Sequence, residues 1–408
     1  MAEVKGALAD DKFPWYISYD NVNIPFRVFS QRLENQGEFG NGTAATVYVK
    51  PDGKPLSNHA NQDLREKRAA GAQRPLTEMD ITRLAMDSHH DIQEHVEYHV
   101  LRFLLDSPEF ELKLYNQRHD PALLPPLPVN SLPTGQDHRT LQYLLGTINI
   151  AEASYEDNYR LVSEWFSQLG WDTTVKRMEV TLKKVVAWIG DQLTMSRLRG
   201  LFNFHAEDEN SFERLDFSIF VFGWLHCQMA FANSLHKQYL GTDLGRGLKH
   251  AFNLLERKGL HKVQTKGPFY HDLDECLHHV AEAHIHEDWL KIGGVEKLSD
   301  LRQHTPEQLK QAAKVLVQKR ASNEALNKIN DTLEDHRDEQ LYQIIMWNRD
   351  VLQYITLNHA VKQGDVGLME KMLPHLFLRF VGGGNGNYAV EVLELLQALN
   401  REWPQEIS

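Results

Sequence analysis

With 408 residues and 42% hydrophobic content, the chain has room for two or three domains around a buried core, which excludes a disordered tail or a mini-protein. Its 44 basic and 56 acidic residues leave a net charge of −12, so no broad basic surface exists for binding nucleic acid by counterion release, and any DNA or RNA contact has to come from local clusters. Cys227 and Cys276 cannot build a disulfide framework, and the opening MAEVKGALADDK lacks an apolar signal segment, so an intracellular, reduced setting is expected.

In chain order, residues 15–19 (WYISY) are aromatic and β-branched and run into the polar Asp20-Asn21-Val22-Asn23, which predicts a strand ending at Asp20. Residues 43–49 (TAATVYV) predict a second strand, closed by Pro51-Asp52-Gly53. Residues 54–76, with the run Arg65-Glu66-Lys67-Arg68, read as an exposed loop, and Thr77 opens a helix that extends to about Leu105. Five prolines and a glycine in residues 119–138 exclude a helix or inner strand and predict an extended surface linker. Residues 140–147 suit either strand or helix, 155–169 have helical spacing, and 185–189 (VVAWI) form a buried strand running into Gly190-Asp191. Residues 217–224 predict another buried strand, followed by a helix to Tyr239. From 245 to 376 the pattern is helical throughout, with Thr305-Pro306-Glu307 a clear helix start. A glycine run at 382–386 leads into a last amphipathic helix over 388–400. Residues 217–236 carry no Asp, Glu, Lys or Arg, yet Ser218, His226, Gln228, Asn233, Ser234 and His236 would all be desolvated in a bilayer, so this stretch reads as protein core and no membrane span is expected.

Three acids stand out by position. Asp20 ends the first strand, Asp191 ends the VVAWI strand, and Glu391 lies in the first turns of the closing helix. Strands that end side by side bring such carboxylates together, and oxygen-rich sites of this kind hold Mg²⁺ or Mn²⁺ for phosphodiester chemistry. Each residue alone also has a plain structural role: Asp191 as a helix N-cap, Glu391 as a partner of a helix dipole. The His-rich run 271–286, with His278, Glu282 and His286 at four-residue spacing, and the stripe Asp91, His95, His99 lack HExxH order or paired Cys-x-x-Cys and read as helix faces. Cys227 reads as core, and Lys176, Arg177, Lys183, Lys184, Arg197 and Arg199 place positive charge near Asp191 in sequence, suited to phosphate contacts or to charged helix faces.

The blocks WYISYDNVNI with NGTAATVYV, GDQLTMSRLRGL, EDENSFERLDF, FGWLHCQMAFANSLHKQYLGT, TKGPFYH, IMWNRDVLQY, GDVGLMEKMLPHLFLRF and NYAVEVLELLQALN resemble, over residues 15–403, a fungal family known only as a domain of unknown function. In the order of its parts that family is similar to transposases with an RNase H-like core, the hobo/Activator group among them: an acid on the first strand, an acid on the fourth, a large helical insertion, then a glutamate on the last helix. The resemblance implies that Asp20, Asp191 and Glu391 are metal-binding catalytic positions and that His226 faces and supports them. Gly223 stands where such transposases carry Cys or Asp three residues before the histidine, which is a departure from the pattern. The chain begins nineteen residues before Asp20, leaving no room for a zinc finger or helix-turn-helix ahead of the core, and ends soon after Trp403-Pro404, so a shortened gene product is expected.

The resulting expectation is an α/β, mostly helical protein, an RNase H-like mixed sheet interrupted by a large all-α insertion. Residues 1–118 form the first part of the core, 119–138 a Pro-rich linker, 139–244 the second part of the core, 245–376 the helical insertion and 377–408 the closing helix. The expected function is Mg²⁺- or Mn²⁺-dependent DNA strand cleavage or transfer in a transposase-derived protein; the alternative is a non-enzymatic, domesticated nucleic-acid- or protein-binding module that keeps the fold. DNA and a second copy of the chain are the partners considered, and a nuclear location follows if the chain is transposase-like.

Overall fold

The computed structural model describes residues 2–9, 13–26, 38–242, 245, 247–256 and 269–407. In chain order the first elements are α1 (Ala2–Ala9), β1 (Trp15–Phe26), β2 (Glu38–Val49), α2 (Ala60–Ala72), α3 (Glu78–Asp106) and β3 (Leu141–Leu144). They are followed by α4 (Tyr155–Gln168), α5 (Thr174–Lys183), β4 (Val186–Gly190), α6 (Gln192–Phe204), β5 (Ser218–Phe222) and α7 (Trp224–Tyr239). The remaining α-helices described are α8 (Leu248–Leu254), α9 (Phe269–Gly293), α10 (Pro306–Arg320), α11 (Asn323–Asn330), α12 (Glu339–Gln363), α13 (Val366–Gly382) and α14 (Gly386–Gln397). The chain divides into two units, one made of residues 1–77, 133–226 and 387–408, the other of 78–132 and 227–386.

The first unit is built on a five-stranded mixed sheet in the order β3-β2-β1-β4-β5. β1 and β2 pair antiparallel, as do β2 and β3, whereas β1, β4 and β5 run parallel to one another. Period-two alternation explains the burial: Ile17 and Tyr19 on β1, Ala45, Val47 and Val49 on β2, and Val186 and Trp188 on β4 all point inward. The aromatic side chains that the strands and α4 turn inward stack into one core. Tyr19 lies 4.8 Å from Trp165 and 5.9 Å from Trp188, and Phe166 packs on Trp188, Phe212 and Phe217. The Tyr19 hydroxyl donates to Asn158 Oδ1 at 2.8 Å, so the buried phenol keeps a partner. α4 begins at a capping box in which Ser154 and Asp157 satisfy each other's backbone.

Two expectations for this unit are corrected. β1 does not end at Asp20; it continues to Phe26 because β2 pairs with it along the whole length, Asp20 facing Ala44. The polar stretch expected as a loop contains α2, whose Ala60 and Leu64 are fully buried. Its polar residues serve docking: Asn61 Nδ2 donates to the Lys184 carbonyl at 2.6 Å, and the Arg68 guanidinium donates to the carbonyls of Asp216 and Ser218. Composition hid this helix because its attachment uses charge and amide groups as much as apolar surface.

The second unit is helical, and among its described residues the only β-type pairing is the isolated bridge between Ser131 and Asp365. α12 is buried on every side (Ile345, Val351, Leu352, Tyr354, Ile355, Leu357), the signature of a central helix. It packs against α3, α9, α10, α11 and α13. Residues 78–132, assigned from sequence to the core and the linker, group with this unit, because the apolar face of α3 (Ile92, Val96, Val100, Leu104) is covered by α9, α10, α12 and α13. No helix among the described residues is long and apolar enough to cross a membrane.

Candidate acidic site at the end of the sheet

The carboxyl ends of β4 and β5 lie side by side in the first unit, next to the point where β1 runs on past its pairing with β4, the edge where open sheets place their sites. The β1/β4 register pairs Tyr16 with Ala187, Ile17 with Trp188 and Ser18 with Ile189. The pairing ends at Ser18 and Ile189, so Asp20 on β1 and Asp191, which follows β4, each stand two residues beyond the last paired residue, and the charges of both act on Glu152. Asp20 is exposed and accepts from the Asn21 backbone N–H at 2.7 Å. Asp191 is the N-cap of α6, its Oδ1 accepting from Thr194 N at 2.7 Å.

A third carboxyl joins them that sequence reading missed. Glu152, in the loop between β3 and α4, is buried; its Oε2 accepts from Thr194 Oγ1 at 2.9 Å, and its carbonyl accepts from Arg197 Nη1 at 2.5 Å. Its backbone N–H donates to Asn21 Oδ1 at 2.8 Å, which ties the loop to the residue after Asp20. Thr194 therefore links the two acids, the N–H to Asp191 and the hydroxyl to Glu152. Burial raises the Glu152 carboxyl to about 7, with the charges of Asp191 and Asp20 adding to the rise and the Thr194 hydrogen bond and Arg197 opposing it. Nothing local in the sequence separates Glu152 from other acids before a helix cap; only the closure of its loop onto β1 and α6 does.

This carries a pH signature. Because the folded carboxyl binds its proton more tightly than the unfolded one, whose value is 4.5, Glu152 contributes stability that is fully present below about 4.5 and is lost as pH rises through about 7. The difference in melting temperature between the parent and Glu152→Gln is expected to change across that window and to level off on either side; a flat difference would contradict the assignment.

Glu391 is placed differently. It is 2% exposed on α14 and forms an ion pair with Arg199 of α6, with burial pushing its carboxyl above the ordinary range despite that partner. Among the described residues, no three His, Cys, Asp or Glu side chains stand together so as to hold one metal ion. Asp20 and Asp191 are hard oxygen donors that suit Mg²⁺ or Mn²⁺, while Glu391 is engaged by Arg199. Arg197 and Arg199, read as phosphate contacts, neutralise Glu152 and Glu391 instead.

His226 is half-buried in the first turn of α7, just past β5. Gly223 N donates to Gly190 O at 2.7 Å, so the β4/β5 pairing extends to the residue before Asp191. A Cβ built on Gly223 would meet Gly190 O at 3.5 Å and His226 Cδ2 at 3.8 Å, ordinary contacts, so space does not demand glycine here.

Among the described residues, the histidine-rich helices of the second unit hold no such centre. His95 Nδ1 bonds the Asp91 carbonyl, Asp91 pairs with Lys371, and buried His99 meets His359 edge-on. His278 Nδ1 bonds the Asp274 carbonyl, and His286 bonds the Phe103 carbonyl with Glu282 at 3.9 Å. Cys227 is buried and its thiol pKa is pushed far up by desolvation, which removes it as a nucleophile.

Residues 71–408 match a family described as "Family of unknown function (DUF6589)". Glu152, Asp191, His226 and Glu391 lie inside the matched span and Asp20 lies before it. No curated protein and no solved structure matches the chain.

Proposed function

The chain belongs to the DUF6589 family, and for it we propose metal-dependent phosphodiester chemistry on DNA by a transposase-derived, RNase H-like core. The observation that carries this reading is that Asp20 and Asp191 each stand two residues beyond the last pair of the parallel β1/β4 ladder, Ser18 and Ile189, with Glu152 in the field of both. The strand order 3-2-1-4-5, with three parallel strands (β1, β4, β5) extended on one side by the antiparallel strands β2 and β3, supports the RNase H-like assignment, as does a mostly helical stretch between β5 and the Glu391 helix in chain order.

In this reading Asp20 and Asp191 hold Mg²⁺ or Mn²⁺, with Glu391 as the third carboxylate. A cation held there would activate a water or a DNA 3′-hydroxyl by lowering its pKa and would stabilise the leaving oxygen. The chain's own contributions are positional. Thr194 fixes Asp191 through its N–H, Glu152 is held within reach of both aspartates' fields, and His226 offers an imidazole at the same sheet edge. Glu391 has to leave Arg199 to take part. DNA as substrate implies a nuclear location, and strand transfer admits a second copy of the chain.

The test is conversion of supercoiled plasmid to nicked circles by the purified chain in Mn²⁺, in Mg²⁺ and in EDTA. Nicking in Mn²⁺ that EDTA abolishes is the expected result. A second reading, a binding module that keeps the fold without catalysis, is favoured by the closed Arg199–Glu391 pair. Absence of nicking in either metal, with retained gel-shift of DNA, would establish that reading over the first.

A further inference from the structure

The proline-rich segment of the second unit is not a slack connection. Asp120 accepts from Ala122 N at 2.8 Å and closes a 3-10 turn over Pro121–Leu123. Beyond it Leu124 has φ −74° and ψ 155°, the polyproline II conformation. The next residues are Pro125, Pro126, Leu127 and Pro128. Proline fixes its own φ near −65° and drives the residue before it out of the helical region, so Leu124, Pro125 and Leu127 are all held extended. At the far end the Asp365 carboxylate accepts from Val129 N at 3.0 Å and Asn130 N at 2.9 Å, and Leu132 N donates to Gly364 O at 2.8 Å.

Exposure along the segment repeats every three residues, the period of a polyproline II helix. Leu123 is buried, and Pro126 and Val129 are half-buried. Between them Leu124 is 65% exposed, Leu127 is 89% exposed, and Pro125 and Pro128 are exposed. One edge therefore seats the segment on its own unit, and two Leu-Pro pairs, Leu124-Pro125 and Leu127-Pro128, face outward one turn apart.

We propose that Leu124-Pro125-Pro126-Leu127-Pro128 is a docking ligand for a polyproline-binding module of the WW type, whose aromatic-lined groove receives the two outward Leu-Pro pairs. Such grooves read a preformed polyproline II ridge, and a segment tied down at both ends loses little conformational freedom on docking. No Arg or Lys lies between His119 and His138, so the ligand offers no cation for the acidic pocket that SH3 grooves place beside their proline pockets. The WW class, which can read the apolar ridge alone, is the better fit. This inference is independent of the acidic site.

The test is fluorescence anisotropy of a labelled, purified WW module that binds Pro-Pro-Leu-Pro peptides, titrated with the full chain, with a labelled SH3 module in parallel. Saturable micromolar binding to the WW module is expected, weakened at least tenfold by Leu127→Ala and by the Pro125→Ala/Pro128→Ala pair. Leu127 makes so little contact that Leu127→Ala should leave the melting temperature unchanged, which keeps that variant informative if the proline pair perturbs folding. No binding to the WW module, binding unaffected by Leu127→Ala, or binding to the SH3 module alone would overturn the proposal.

Discussion

Asp191→Asn is expected to lower Mn²⁺-dependent plasmid nicking by about 100-fold or more, equivalent to about 2.7 kcal/mol of lost transition-state stabilisation, while leaving the fold intact. The separation of effects comes from the difference between the residue's capping role and the cation-ligand role proposed for it. As the N-cap of α6 it needs only a side-chain oxygen for Thr194 N, and asparagine caps helices as well as aspartate does. As a cation ligand it needs the negative charge, which asparagine lacks. Asp191→Ala confuses the two, since losing the cap alone costs about 1 kcal/mol. Asp20→Asn should lower nicking to a similar degree, its carboxylate being exposed and bonded to the Asn21 N–H. Plasmid nicking together with a thermal melt decides the matter: a folded Asp191→Asn protein that nicks at the parental rate would remove this residue from catalysis.

Arg199→Leu is expected to destabilise the protein by about 3–5 kcal/mol near pH 8, because it leaves the Glu391 carboxylate buried without its cation. Burial already raises the Glu391 carboxyl, with Arg199 pulling it back, so removing Arg199 raises it further. A raised folded pKa means stability lost as pH rises, so the deficit of the variant should be small below about 4.5, the unfolded value, and grow above it. The double change Arg199→Leu/Glu391→Leu should recover most of the loss, since an apolar pair of similar volume replaces a buried ion pair at little cost. Urea denaturation at pH 5 and pH 8 measures all three proteins. Equal deficits for Arg199→Leu at both pH values would show that Glu391 is not the origin of the effect. A further variant bears on mechanism: if Glu391→Gln nicks DNA as the parent does, Glu391 is a structural residue and the proposed metal site would rest on the two aspartates.

Much of the local structure was legible in the residues. The strands containing WYISY, VVAWI and FSIFVF, the helix after Thr77 and the Thr305 capping box follow from alternation, helical spacing and cap chemistry, all of which act within a few neighbours. The site was legible in part. Asp20 and Asp191 stand out as acids at strand ends, yet β1 runs on past Asp20, and that each acid lies two residues beyond the last β1/β4 pair depends on a contact between distant segments.

What the sequence by itself determined is that the segments around Ile17, Trp188 and Phe220 form strands, that those after Thr77 and Thr305 form helices, and that Asp191 follows β4, because burial periodicity and capping are properties of short stretches. The tertiary structure alone decided the partners. It brought Glu152 to the aspartates by closing its loop on Asn21 and Thr194, gave Arg199 to Glu391, docked α2 through Asn61 and Arg68, and moved α3 from the sheet unit to the helical one. Charge and hydrogen-bonding groups choose among many chemically equivalent partners, and only folding, by removing water and fixing distance, selects the one each keeps.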